Sequence, residues 1–448
     1  MKKAYDVLVA GAGASGFCAA IAAAREGADV LLIEQSGILG GSNTRSLVGP
    51  LMGFHAGNKQ VVRGLAQEIV DRLEKRGGTR GHFPDPLGVA GSITPVEPEA
   101  LKQVYFEMLR ETKHITIRLH AMLAAAETEE GWIRRVRVLE KDGMRDYSAG
   151  VYIDATGDGD LACFSGAPLT VGRQKDGMSQ PMTMVMHIGG VDFSRVRAAM
   201  RERPDQFVLC EGAEKIPCVA VSGYFDEVRK AREEGMISFP RDRVLLFEGV
   251  REGEALVNMS RVIEKSAVDA AQLTEAEIEG RAQVDEILRF LRERIDGFQC
   301  CRLIATGEAI GIRESRHLQG TYTLTAEDIL RGTAFEDAVA VGAFPIDIHD
   351  PRGRELTWVK MEPGSCYDVP FRTMLPEGVS NLLVTGRCIS ATHEAAASVR
   401  ITPTAMALGE AAGMAAALGG GRPTRETEIP ALQAAILRRG GIPGKRFV

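Results

Sequence analysis

The sequence has no Cys-x-x-Cys pair and no ferredoxin-type cysteine run; its eight cysteines, at 18, 163, 210, 218, 300, 301, 366 and 388, are scattered through 448 residues. That spacing disfavours a zinc site, an iron–sulfur cluster and a redox-active disulfide, so no metal is expected. It suits a reducing cytoplasm. Charge of one sign is also lacking: 54 Lys and Arg stand against 60 Asp and Glu, a net charge of −6. A global basic footprint for nucleic acid or an anionic membrane is therefore absent. Long apolar runs are scarce. Residues 7–24 carry no charge and follow Lys2 and Lys3, which imitates a signal peptide or a short membrane span. Gly11, Gly13, Ser15 and Gly16 interrupt that run where a lipid-embedded helix has no need of them. Neither export nor membrane insertion is expected.

What the sequence has in excess is glycine, 50 of 448 residues, above the usual ~7%. Glycine is favoured where backbone turns tightly or touches a ligand, so its placement matters. The remaining composition, 45% hydrophobic and 25% charged, is that of an ordinary soluble globular protein. At ~100–200 residues per domain the length predicts more than one core.

The first informative segment is Tyr5-Asp6-Val7-Leu8-Val9-Ala10, which reads as a buried parallel strand, followed by an Ala-rich helix over Ser15 to Glu26. Between them lies Gly11-Ala12-Gly13-Ala14-Ser15-Gly16, and a second strand, Asp29 to Glu34, ends in an acid. Gly11 makes the tight turn, Gly13 admits a pyrophosphate against the backbone, and Gly16 lets helix and strand pack closely. The helix N-terminus favours phosphate charge, and Glu34 can accept hydrogen bonds from ribose hydroxyls. Strand, turn, helix, strand and acid in this order point to a dinucleotide site.

Gln35 through Thr44 then run into a second turn, Gly40-Gly41-Ser42-Asn43-Thr44, where an NAD domain would proceed to another strand and helix. Here the sequence resembles glutathione-reductase-like and fumarate-reductase-like flavoproteins, in which this loop runs along the pyrophosphate toward the flavin. Two further segments carry the resemblance. Val151 to Asp160 is an apolar strand running into Ala155-Thr156-Gly157-Asp158, and Asn381 to Ile389 is another that ends in Gly386-Arg387-Cys388. Arg400-Ile401-Thr402-Pro403 then opens an Ala-rich helix, with proline placed early where its missing N–H costs nothing. No second GxGxxG follows a strand, so a dedicated NAD(P)H domain of the disulfide-reductase type is not expected.

Between about residues 170 and 375 the pattern changes. Ser179 to Ile188 suggests a strand, and Gln283 to Ile295 has helical periodicity. Gly311 to Asp328 is dense in charge, and Asp347-Ile348-His349 follows. With Gly386-Arg387-Cys388-Ile389-Ser390-Ala391-Thr392-His393-Glu394-Ala395, the ordered set resembles the broad family of bacterial FAD-dependent oxidoreductases over nearly the full length. The resemblance implies noncovalent FAD held by Gly11, Gly13, Ala14, Ser15, Gly16, Glu34, Gln35, Gly40, Gly41, Ser42, Asn43, Thr44, Leu123, Ala155, Thr156, Gly157, Gly386, Arg387, Ile401 and Thr402. It implies an α/β fold: a discontinuous Rossmann-like FAD-binding domain (1–170 and 375–448) with an inserted α+β substrate domain (171–374).

Flavin chemistry needs a group that moves a proton and something that holds the substrate. His393, between the closing strand and the flavin-facing helix, is expected as the general acid/base or as an electrostatic partner of the reduced flavin, and Arg400 as the group that binds the substrate or the flavin carbonyl region. Arg316 is expected in an anion-binding wall with Arg313, Glu314 and His317; on a helix, 313 and 317 would share a face. An alternative is an internal ion-pair network around Glu314. His55, Asn258 and Arg261 are minor candidates, while Cys300-Cys301 and Cys388 read as packing rather than thiol chemistry. The expected reaction is hydride transfer between FAD and a small organic, carboxylated or otherwise anionic, substrate, with an electron donor or acceptor of unknown identity. A tRNA-modifying flavoprotein and a non-catalytic FAD-binding regulator stay open as alternatives, as does assembly into a homo-oligomer.

Overall fold

In the computed structural model, which describes residues 4–353 and 356–448, the apolar runs read as buried strands form one parallel sheet. Its order is Leu382–Val384, Ala149–Asp154, Tyr5–Ala10, Val30–Ile33, Ile115–Arg118. The central strand is almost wholly buried, as expected of a parallel sheet covered on both faces. Lys2 and Lys3, read as part of a leader-like pattern, lie outside the described residues. The Ala14–Arg25 helix follows the glycine turn within one residue of its expected start. An antiparallel meander, Met122–Glu129, Trp132–Glu140 and Gly143–Tyr147, links the edge strand Ile115–Arg118 back to Ala149–Asp154. Among the described residues, no helix is long and apolar enough to cross a membrane.

A second five-stranded sheet, in the order Ala220–Gly223, Val244–Glu248, Ala255–Val257, Met186–Gly189, Arg302–Thr306, is antiparallel throughout. Of the strand expected over Ser179 to Ile188, only Met186–Gly189 is regular; Met182 and Thr183 make isolated bridges to Val262 and Gly311. The helix predicted over Gln283 to Ile295 begins earlier, as Ala270–Arg294, because Asp269 accepts the Gln272 N–H at 2.9 Å as its N-cap. Val284, Ile287, Phe290 and Leu291 of that helix pack with strand residues in an apolar core spanning Met182 to Ile310. Side chains from Leu324 to Leu375 pack instead with those of Val7, Phe17 and Leu383.

The helical case in which Arg313 and His317 would share a face does not arise. Residues 316–318 form a strand antiparallel to Leu169–Val171, so Arg316 and His317 point to opposite faces.

The Thr402–Gly419 helix lies along Ala14–Arg25 at backbone contact: a side chain at Gly409 or Gly413 would overlap the carbonyls of Ser15 and Ala19. The same helix carries Glu410, 3% exposed, whose Oε2 accepts the Leu65 N–H at 3.1 Å. Burial pushes this carboxyl up from about 4.5 to about 7. A carboxyl raised in the folded state binds its proton more tightly there than in the unfolded chain, so folding loses stability as pH rises from about 4.5 through about 7. Glu410→Gln is expected to match wild type near pH 4.5 and to exceed its stability at pH 8, measured by denaturant melts at both values.

Candidate active site

The glycine turn and the Gly40-Gly41 turn form one floor. Gly11, at φ +94°, sits where a side chain would strike Ala155 O, and Gly16 has no room for a Cβ beneath Gly11 O. Gly40 N–H donates to Ala12 O at 2.9 Å, and Gly41 packs on Gly13 Cα. Gly13 differs: a Cβ there would meet nothing nearer than Gly41 Cα at 3.8 Å. It is also the N-cap of Ala14–Arg25 and supplies no side-chain cap, so the first N–H groups of that helix are left for an outside acceptor.

Around this floor the expected residues take distinct places. Glu34, 9% exposed, accepts the Ala12 N–H on Oε2 and the Ser36 N–H on Oε1, each at 2.8 Å. Gln35 is exposed beside it. Ala121 N–H donates to Glu34 O at 2.9 Å, which brings Leu123 of the meander to the same end of the sheet. Thr44 Oγ1 donates to Leu39 O at 2.5 Å, whereas buried Asn43 Oδ1 has no partner. At the other end Asp154 accepts the Thr156 N–H and hydroxyl at 3.0 and 2.7 Å, fixing the turn into Gly157. Ser15 and Thr385 hydroxyls share a hydrogen bond of 2.9 Å, holding Gly386 over the helix start. Arg387 is committed to protein: Nε to Gly157 O at 2.7 Å, Nη1 to Ile312 O at 2.7 Å and Nη2 to Asp158 Oδ1 at 2.8 Å. Cys388 points its thiol at Gly157 O, and all eight cysteines are free thiols.

His393 is the first residue of the His393–Val399 helix, which Thr392 caps through the Ala395 N–H. Its Nδ1 meets Glu314 Oε1 at 2.8 Å; the same oxygen takes His317 Nε2 at 2.8 Å, and Oε2 takes the Gln180 N–H at 2.8 Å. Burial pushes the Glu314 carboxyl up, but the hydrogen bonds from the two histidines outweigh it and hold it at about 2. An ionised carboxylate only accepts, so His393 donates to it from Nδ1, and its Nε2 is not engaged by Glu314. The ion-pair alternative read around Glu314 is thus present, with His393 drawn into it.

Arg400 and His393 are not brought side by side: they stand at opposite ends of one short helix, and Arg400 Nη2 lies 3.9 Å from Asp347 Oδ2. Arg316 turns to the face opposite His317, where Nη1 donates to Asp160 Oδ1 at 2.8 Å and Asp158 O at 2.9 Å. His55 pairs with Ser92 Oγ at 3.0 Å beside the His82 ring. Arg261, a minor candidate, meets His349 Nδ1 at 2.7 Å. Sequence reasoning missed Arg241, buried with Nε unpartnered, and Gln180, whose side-chain amide is buried with neither atom bonded. The signal for Arg241 was there in Arg241-Asp242-Arg243, a charged triplet leading into an apolar strand.

The floor, the uncapped helix and the acid at the second strand define a dinucleotide-binding flavoprotein. Residues 6–436 match the family model described as FAD dependent oxidoreductase, and the chain belongs to that family. Among solved structures it is similar to OxyS anhydrotetracycline hydroxylase from Streptomyces rimosus, at 12% identity and TM-score 0.48, covering 97% of this chain and 65% of that one. It is also similar to the flavin-dependent brominase Bmp2, at 11% identity and TM-score 0.48, covering 97% and 83% of the two chains. A geranylgeranyl bacteriochlorophyll reductase-like protein from Thermoplasma acidophilum gives 13% identity, TM-score 0.42 and coverage of 98% and 82%. No curated protein matches the sequence. The cradle at Gly13 and the free N–H groups of the adjoining helix fit the pyrophosphate of FAD, the cofactor of this family.

Two glycines separate folding from cofactor binding. Gly16→Ala is expected to lower thermal stability even without FAD, whereas Gly13→Ala is expected to keep the stability of the FAD-free protein and lose the cofactor. Melting curves and flavin absorbance of both variants, each with and without added FAD, check this.

Proposed function

We propose that this FAD-dependent oxidoreductase transfers a hydride between the flavin and a small carboxylated organic substrate, with His393 moving the accompanying proton. The observation that carries the reading is the buried Glu314 carboxylate, which accepts from His393 Nδ1 at 2.8 Å and leaves Nε2 as the nitrogen available to a substrate. Bound FAD supplies the hydride donor or acceptor at its ring.

The chain's own residues divide the remaining work. Gly13, Ala14, Ser15 and Gly16 would hold the pyrophosphate by backbone N–H groups, with Gly11, whose own N–H goes to Ile33 O at 2.8 Å, shaping the turn; Glu34 and Gln35 would take the ribose end and Leu123 the adenine side. Gly40 to Thr44 lead to the ring, and Ala155 to Gly157 with Gly386 and Arg387 close over it through backbone. Ile401 gives no side-chain cap to the Thr402–Gly419 helix, so its N-terminus is free to stabilise negative charge on the flavin. His393 Nε2 takes a proton from substrate or returns it, and Glu314 is the positioning residue that sets its tautomer and offsets the charge of the protonated ring. Arg400 binds the substrate carboxylate, its Nε being buried without a partner. Arg316, paired with Asp160, braces the Gly157–Asp160 turn. The unit with its core between Met182 and Ile310 acts as the substrate-side cap, inserted between the two parts of the nucleotide unit.

His393→Ala and Glu314→Gln are each expected to slow anaerobic flavin bleaching by substrate by about 10²–10⁴-fold, the usual worth of a positioned acid or base, with FAD content unchanged. Stopped-flow absorbance measures it, and bleaching at the wild-type rate in both variants overturns the assignment.

A further inference from the structure

Beyond Glu314, four arginines converge where the two units meet: Arg241, Arg261, Arg313 and Arg400. Arg241 and Arg261 are 2% and 3% exposed. Their protein partners are mostly neutral. Arg313 Nη1 donates to Pro181 O and Thr183 Oγ1, each at 2.6 Å, and its Nη2 to Asn258 Oδ1 at 3.2 Å. Arg241 Nη2 reaches Asn258 O only at 3.5 Å. The Nε atoms of Arg241 and Arg400 are both buried without a partner.

One carboxylate lies inside the group, and it is already engaged. Asp347 accepts Trp358 Nε1–H at 2.7 Å and His349 Nε2–H at 3.2 Å, with Arg400 at 3.9 Å. Since Arg261 can only donate, the proton on His349 is on Nε2, and the ring is neutral. Burial first, then Arg313 and Arg261, keep it so, with its pKa down at about 3. Of the surrounding acids, Asp242 is paired with Arg243 at 2.6 Å, while Asp350, 3.3 Å from Arg173, shares that cation with Asp176 at 2.8 Å. Against four guanidiniums stand Asp347 and Glu314, with Asp350 sharing Arg173, which leaves the group net positive. Burial lowers all four, Arg241 to about 9, and repulsion inside the group adds to it at Arg241, from Arg261, and at Arg313, from Arg400, Arg261 and Arg241. Charges buried without counter-ions are costly, and an anionic ligand relieves that cost.

We propose that this arginine cluster is the substrate-recognition site and that its ligand is a dicarboxylate: one carboxylate bound by Arg400 and Arg313, the other by Arg241 and Arg261 across the Asp347–His349 pair. The planar fork of each guanidinium matches a carboxylate's two oxygens. Asp347 and His349 hold the two arginine pairs in place while contributing a single negative charge. This substrate class rests on the reading of Glu314 and His393 as the adjoining chemical site.

The test uses the FAD-loaded enzyme, titrated with three- to six-carbon dicarboxylates and with monocarboxylates of equal chain length. Binding is followed by perturbation of the flavin absorption bands and by thermal shift. The best dicarboxylate is expected to bind on the order of 100-fold more tightly than its monocarboxylate, the effect of one added desolvated charge pair. Arg241→Gln and Arg261→Gln are each expected to erase that preference, and Arg261→Lys to restore part of it. Equal affinity for the two series in wild type overturns the proposal, as does a preference that survives in both glutamine variants. Should those variants fail to fold, the wild-type comparison decides alone. Tight dicarboxylate binding without any redox change in the flavin sustains the anion site and overturns hydride transfer. Bleaching by monocarboxylates with no dicarboxylate preference does the reverse.

Discussion

The structure depends on backbone meeting backbone along one helix. Ala14–Arg25 is pressed from below by Gly11 and Ala155, which leave no room for a side chain at Gly16, and from above by the helix carrying Gly409 and Gly413. Had any of these been larger, the Thr402–Gly419 helix would stand off by the width of a side chain. Its first residues, and Arg400 just before them, would then move away from the glycine floor. The hydroxyl pair of Ser15 and Thr385 depends on the same contact. Chemical groups near residue 400 are thus aimed by packing near residue 16.

Two electrostatic arrangements of opposite kind flank the junction between the units. At Glu314 three donors compete for one carboxylate, which keeps it ionised and fixes a histidine ring. One residue earlier, Arg313 belongs to a group with too many cations for its acids. In the proposed reading, adjacent residues therefore serve an acid–base site on one side and an anion-seeking one on the other. Arg387 ties this junction to the sheet, bonding at once to Gly157, Asp158 and Ile312.

The nucleotide end was legible because its determinants are local: strand, turn, helix, strand and acid lie within residues 5–34, and each glycine does what its spacing implies. The proposed substrate end was not, because its parts come from five separate segments with no shared period. Arg241 precedes one strand, Arg261 follows another, and Arg313 stands in an irregular stretch. Closeness in sequence also misled. His393 and Arg400 read as a pair, yet a helix of seven residues separates them and gives each its own carboxylate. Arg316 and His317 read as members of one wall, but strand pairing with Leu169–Val171 turns them apart. Periodicity could not reveal that, since three residues make too short a strand to alternate visibly.

The order of the strands has a consequence for how the protein is made. The sheet edge Leu382–Val384 pairs with Ala149–Asp154, and the helix that seats on Ala14–Arg25 ends at Gly419. A chain emerging from the ribosome therefore presents its glycine turn early and waits through more than three hundred residues for the elements that brace it. Until then the grooved face of the first helix is bare, and the turn lacks the contacts that hold it in shape. Cofactor loading is accordingly expected only once the Thr402–Gly419 helix has been made and seated.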